Sequence, residues 1–383
     1  MKKKVLFSAS LFHALDDAAS VLVPMAFPIL YSQQFLIHKY SHMGILSNLG
    51  LLVTFLFQIV IAYFSDRIEY KFMLLLSYLG ICLSLALIPL SSTFASLLFL
   101  YLLLRIFLSF YHPIGIAWVS KTHPSQGIDF AMGIQSGSGN LGVFIAFLSA
   151  GYISQKFDWK LPLFIWAIIA FFLGTTSFLA VRKISSKRQE IHKADLSSWI
   201  ETTKSIKNYI LGFLFGGACW ATAIYFAPSL LHHKFNISMG QTGLYLAIWI
   251  GIGTTVSYLF GTLSFHIGRF RLCVVALFGS SLSLFLIGIA PVKEVAIFGL
   301  LLFGIFLFLI YPVLQSFVGN EVEEKKQAQA FSLASNSQML GGAIIALGSG
   351  FLSDVAGINS PFILMGFLGI FIAFFYVLKK VNT

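Results

Sequence analysis

The sequence predicts an all-α integral membrane protein: twelve transmembrane helices in two six-helix, pseudo-symmetric halves. Three observations carry this. The chain is 58% hydrophobic and only 10% charged, with a mean hydropathy of +0.88; a soluble domain carries about 25% charged residues. Twelve apolar runs are long enough to cross a bilayer. One offset, the separation of Pro113 and Pro312, superposes the second half of the chain on the first.

The runs fall at 5–31, 43–65, 72–92, 94–118, 129–153, 160–181, 206–230, 239–263, 272–290, 293–317, 329–352 and 361–378. The start, MKKKVLFSAS, imitates a signal peptide. No small-x-small cleavage site ends that run, however, and Asp16 and Asp17 interrupt it, so it reads as an uncleaved first helix. Most connections are short and force antiparallel neighbours. The longer one, RKISSKRQEIHKADLSSWIETTK, divides a half at 1–183 from a half at 204–383, leaving 184–203 as a cytoplasmic linker. Within it, Asp195 to Thr203 predicts a short interfacial helix anchored by Trp199. With the N-terminus inside, nineteen Lys and Arg residues lie on the cytoplasmic side and five opposite, with Arg105 buried; this bias predicts an inner or plasma membrane protein with both termini cytoplasmic. The net charge of +11 is therefore a topological signal, and no nucleic-acid partner is expected. Cys82, Cys219 and Cys273 fall in or beside apolar runs with neither disulfide nor metal-ligand spacing.

The repeat superposes Gly44 on Gly243, Ser65 on Ser264, Pro113 on Pro312, Gly142 on Gly341, Gly151 on Gly350 and Pro162 on Pro361. These are small or helix-breaking positions, where backbone geometry leaves few substitutes. Two halves repeated in this sense bind substrate near the midplane and alternate by rocking.

Ionised groups at depth are the exception that function explains. Asp16 and Asp17 lie about eleven residues into the first run, roughly 16 Å deep in a ~30 Å hydrocarbon core. A charge there costs at least a few kcal/mol unless it is paired or wet. His13 is placed i,i+3 from Asp16 and i,i+4 from Asp17, so its imidazole meets either carboxylate on one helical face. Two adjacent acids in low dielectric resist simultaneous ionisation, which suits proton loading and unloading. A static pair with Arg105 is the alternative. Arg105 and His112 are seven residues apart and are expected on one face of the fourth helix. Arg105 is a partner for the coupling acid or a cationic anchor for an anionic substrate. His112 precedes Pro113 and either satisfies the carbonyl freed by that proline or is a proton relay or substrate contact. In the fifth run, GIQSGSGNLGVF offers Gly133, Gly137, Gly139 and Gly142 as a packing face, with Gln135 and Asn140 as polar candidates. The second half offers Trp220, Tyr225, Tyr311 and Gln315, with Tyr245 and Trp249, as an aromatic, hydrogen-bonding wall.

AYFSDRIEYKF after the second run, and GTLSFHIGRFR at the equivalent place in the second half, resemble the loop signature Gly-x-x-x-Asp-Arg-x-Gly-Arg-Lys of the major facilitator superfamily. Asp66, Arg67 and Lys71 match in the first half, and Gly261, Gly268 and Arg269 in the second. The resemblance implies that Asp66, Arg67, Lys71 and Arg269 gate the cytoplasmic face, and that the first and fourth helices line the cavity. HALDD, PMAFPIL, YHP and GIQSGSGNLG are similar to the fosmidomycin-resistance-like branch, with Asp16 where that branch has Asn.

These resemblances imply a proton-coupled secondary active transporter, exporting a small organic solute, anionic ones included, by alternating access as a monomer in the lipid bilayer. Asp16 and Asp17 are the expected proton sites, and His13 and His112 polar helpers. No Gly-x-x-x-x-Gly-Lys motif is present and no nucleophile–base spacing appears, so neither an enzyme nor a cofactor beyond a proton gradient is expected. Three alternatives stay open: proton symport importing an anionic nutrient, export of a divalent metal, and a non-transporting membrane sensor.

Overall fold

The computed structural model describes residues 1–64, 68–123, 128–185, 196–323 and 326–379. The helices there are α1 (Lys2–Ser32), α2 (Tyr40–Phe64), α3 (Tyr70–Leu87), α4 (Phe94–Leu108), α5 (Tyr111–Thr122), α6 (Ile128–Lys156), α7 (Lys160–Val181), α8 (Leu196–Ser229), α9 (Met239–Ile267), α10 (Arg269–Ile289), α11 (Lys293–Glu321), α12 (Gln327–Ala356) and α13 (Ser360–Lys379). They supply 12 spans long and apolar enough to cross a membrane, α4 and α5 together forming the fourth, Phe94–Thr122.

The break inside that fourth span corrects one expectation. Arg105 and His112 do not share a helical face, because α4 ends at Leu108 and α5 starts at Tyr111. Pro113 is the cause. Its ring cannot donate to Ser109 and crowds that carbonyl. The chain turns tightly instead, Ser109 N donating to Ile106 O at 3.2 Å and Phe110 N to Phe107 O at 3.5 Å. α4 itself begins at a capping box: Thr93 Oγ1 accepts from Ser96 N and Ser96 Oγ from Thr93 N, both at 3.1 Å.

A second expectation also changes. The short interfacial helix anchored by Trp199 is not separate; α8 runs unbroken from Leu196 to Ser229. No proline or glycine lies between Thr203 and Ile206 to stop it. Gln329 Oε1 holds this entry turn, accepting from the Ser198 and Thr202 hydroxyls at 3.0 Å each. Asp195 lies outside the described residues, as do the gating candidates Asp66 and Arg67.

The chain forms two compact units. The first comprises Met1–His38, Leu49–Ile191 and Ser238–Ala247; the second comprises Lys39–Asn48, His192–Ile237 and Ile248–Thr383. In the first, α1 packs chiefly on α6 and α7, and α3 on α7 and α4. In the second, α8 packs chiefly on α12, and α10 on α11 and α13. Apolar burial does not drive such packing in lipid; small residues and close backbone approach do. A β-carbon on Gly142 of α6 would stand 2.0 Å from the Ala14 carbonyl oxygen of α1, and one on Gly341 of α12 would stand 2.0 Å from that of Leu214 on α8.

The repeat recurs in two helix caps. In the first unit, Gln155 Oε1 near the end of α6 accepts from Gly240 N at the start of α9, 2.7 Å away. In the second, Asp354 near the end of α12 accepts from Tyr40 N at 2.7 Å and Ser41 N at 3.2 Å, at the start of α2. Gln155 and Asp354 correspond under the repeat, as do Ser41 and Gly240. Each carboxylate or amide oxygen satisfies amides that have no partner inside their own helix.

Candidate functional site

In the first unit, α1, α5 and α6 converge on one polar cluster. His13, Asp16 and Asp17 come from consecutive turns of α1, which is buried over most of its length. His13 Nε2 stands 3.1 Å from Asp17 Oδ2, the i,i+4 contact that the helical period dictates. α5 adds His112, whose Nε2 lies 3.6 Å from Asp17 Oδ1 and 3.9 Å from Asp16 Oδ2. Side-chain exposure orders the group: Asp16 5% and His13 8%, against Asp17 24% and His112 39%. Asp17 and His112 therefore face open space, while Asp16 sits behind them. Asp16 Oδ1 is buried without a hydrogen-bond partner.

α6 holds this arrangement from behind. His13 Nδ1 donates to the Gln135 carbonyl oxygen at 2.8 Å. A carbonyl only accepts, so Nδ1 donates there, and the 3.1 Å contact between Nε2 and Asp17 Oδ2 holds a proton of its own between imidazole and carboxylate. The Gln135 side chain lies over the same edge of the ring, and its Nε2 donates to the Tyr111 hydroxyl at 2.9 Å. The Tyr111 ring stacks on His13, centroids 4.6 Å apart and 18° between planes. Gly139 admits the cluster to α6 at all: a β-carbon there would stand 2.3 Å from Asp17 Oδ2 and 2.8 Å from the His13 ring.

Arg105 takes a different position. It is buried, and its Nε donates to Thr54 Oγ1 at 2.9 Å and to Gly50 O at 3.3 Å, both on α2. Asn140 is half-buried on α6 and joins none of the contacts just described.

In the second unit, Trp220 of α8 meets Trp249 of α9 and Phe308 of α11, with centroids 5.5 and 5.8 Å away. Tyr311 packs edge-on against Phe213 at 5.8 Å, with Gln315 one turn on along α11. Tyr225 is buried at 3% exposure and belongs to the α8 core rather than to an open wall. Of the gating candidates, Lys71 pairs with Glu69 at 2.7 Å and donates to the Arg182 and Ile184 carbonyls at 3.1 and 3.2 Å. Arg269 opens α10 directly after Gly268, whose φ of +86° lies where glycine is favoured.

The sequence reading missed two participants. Tyr111 had a signal in its place beside His112 in YHP, but its role depends on the separate direction of α5. Gly139 was read only as packing, although what it packs against is the site itself.

Comparison with known proteins follows the same lines. The family model described as Major Facilitator Superfamily matches residues 6–346. An uncharacterised MFS-type transporter of Methanocaldococcus jannaschii is 19% identical over 311 residues, covering 80% of each chain. Among solved structures, a bacterial homologue of the human lysosomal transporter Spinster, inward-facing and unoccupied, superposes with a TM-score of 0.83 at 15% identity, covering 98% of this chain and 96% of its own. The nucleoside transporter NupG gives a TM-score of 0.81 at 12% identity, covering 98% of both chains. At such identities the structural likeness carries the fold.

Proposed function

Because this chain belongs to the major facilitator superfamily, we propose that it is a proton-coupled secondary active transporter that exports a small organic solute, anionic ones included, by alternating access. The observation that carries the reading is the placement of two carboxylates, Asp16 and Asp17, beside two imidazoles, His13 and His112, on buried helices of one unit. Ionisable groups kept inside a membrane domain are costly and mark ion or substrate pathways. Asp17, the more open carboxylate, exchanges protons with the cavity through His112, and Asp16 behind it is the second proton site. His13 is held in one orientation by α6 and Tyr111, so the group keeps a fixed geometry. Arg105 supplies the counter-charge near Asp16 and the cationic anchor for an acidic solute. Trp220 and Tyr311 supply apolar and hydrogen-bonding surface for the rest of the solute. Lys71 and Arg269, with Asp66 and Arg67, serve the gate. The chain works as a carrier rather than an enzyme, a monomer in an inner or plasma membrane with both termini cytoplasmic. It has no nucleic-acid partner and needs no cofactor beyond the proton gradient. The resemblance to the fosmidomycin-resistance-like branch supports export over import.

Proton movement in energised inside-out vesicles tests this. A panel of anionic and amphipathic compounds is added to wild type, Asp16→Asn and Asp17→Asn. A compound that collapses the pH gradient in wild type and not in one variant identifies antiport and the coupling acid. Uptake of a compound with no gradient and no proton movement makes the carrier a uniporter and refutes the coupling. Proton movement driven only by a divalent cation makes the cargo a metal and refutes the organic-solute reading.

A further inference from the structure

The cluster on α1 and α5 has the composition and spacing of a cation site. His13 Nε2, His112 Nε2 and an Asp17 carboxylate oxygen all lie within 4.8 Å of one another, the closest pair at 3.1 Å. Ligand atoms of a tetrahedral zinc-type site, with bonds of about 2.0–2.2 Å, stand roughly 3.3–3.5 Å apart. The His112–Asp17 separation of 3.6 Å is already near that value, so small side-chain rotations bring the three donors to it.

Four further features are those of a prepared site. The Nδ1–H of His13 is given to the Gln135 carbonyl at 2.8 Å, the outer bond that orients a metal-binding histidine, and the ion takes the place of the proton between Nε2 and Asp17. The Tyr111 stack at 4.6 Å fixes the ring plane. Asp16 adds a second carboxyl group behind the first, whose Oδ1 is buried without a hydrogen-bond partner. Finally, Asp17 and His112 are partly exposed, at 24% and 39%, which leaves a coordination position for water.

The geometry points to a binding site for one divalent transition-metal ion of the zinc, cobalt or nickel class, held by His13 Nε2, His112 Nε2 and the Asp17 carboxylate, with water completing the shell. Two imidazoles with one carboxylate select against magnesium and calcium, which take oxygen donors, and no thiolate belongs to the group to favour copper(I). The inference goes beyond the transport reading and is tested without transport.

Purified full-length protein in detergent, stripped of metal, is titrated with cobalt(II) while its visible d–d absorption is followed. The expected result is a saturable band at one cobalt per chain, displaced by zinc and untouched by magnesium. His13→Gln and His112→Gln each weaken binding at least about tenfold, while elution and melting in the absence of metal stay those of wild type. The neighbouring pair His232 and His233, with ring centroids 5.3 Å apart, is the rival site; the His232→Gln, His233→Gln double variant keeps the band. A second measurement on wild type alone guards against misfolded variants: zinc protects His112 from diethyl pyrocarbonate. No band at millimolar cobalt, a band that survives both His13→Gln and His112→Gln, or His112 labelling indifferent to zinc overturns the inference.

Discussion

Two glycines three residues apart on α6 separate the stability of the fold from the integrity of the site. A β-carbon on Gly142 meets the Ala14 carbonyl oxygen at 2.0 Å, whereas one on Gly139 meets Asp17 Oδ2 at 2.3 Å. Ordinary contact begins near 3.4 Å. Gly142→Ala therefore requires about 1.4 Å of separation between the backbones of α1 and α6. Their packing is close along its length, so overpacking of this kind costs about 1–3 kcal/mol or more. The gain of ~1 kcal/mol from replacing glycine in a helix offsets only part of this. Gly139→Ala requires about 1.1 Å of movement from a carboxylate at the end of a rotatable side chain and about 0.6 Å from the His13 ring, with no shift of backbone, so it offsets less of the helix gain of ~1 kcal/mol than Gly142→Ala does. The same movement breaks the 3.1 Å His13–Asp17 contact.

Gly142→Ala is thus expected to melt several degrees below wild type in fluorescence-detected size exclusion. Gly139→Ala is expected to melt at or above wild type while losing solute-driven proton movement. Gly341→Ala, facing the Leu214 carbonyl at 2.0 Å, repeats the Gly142 result in the second unit. A Gly142→Ala protein as stable as wild type, or a Gly139→Ala protein with unchanged proton movement, would refute the close α1–α6 contact and its role in building the site.

Two further outcomes follow from the same contacts. Removing the Asp354 carboxylate by Asp354→Ala costs about 1 kcal/mol of cap stabilisation and raises hydrogen exchange at the Tyr40 and Ser41 amides, while Asp354→Asn retains part of that protection; unchanged exchange in the alanine variant refutes the cap. Arg105→Lys deletes the Nε that donates to Thr54 and Gly50, a group lysine lacks. A loss of roughly 1.5–3 kcal/mol per charged hydrogen bond lowers the melting temperature despite the retained charge. A variant as stable as wild type shows that charge alone suffices there.

How much was legible beforehand depended on the range of each interaction. The twelve spans and the repeat are written in composition and spacing, because a bilayer admits few ways to satisfy a backbone and a repeated helix contact reuses glycine at the same place. The matched close approaches at Gly142 and Gly341 are the clearest case. The pairing of Asp17 with His13 follows from 3.6 residues per turn alone. The grouping of Arg105 with His112 did not follow. It assumed an unbroken helix, whereas Pro113 ends α4 and starts α5 in a new direction, leaving Arg105 against α2 and bringing His112 to Asp17. Helical period reaches only as far as the helix does. The hydrogen bond that orients His13, the stacking of Tyr111 and the space left by Gly139 are contacts across 122, 98 and 126 residues of chain to α1 and its neighbours. Local pattern determined which residues are polar where none should be. Only the packing of α1 against α5 and α6 decided which of them meet, because side chains that far apart in sequence are brought together by backbone approach.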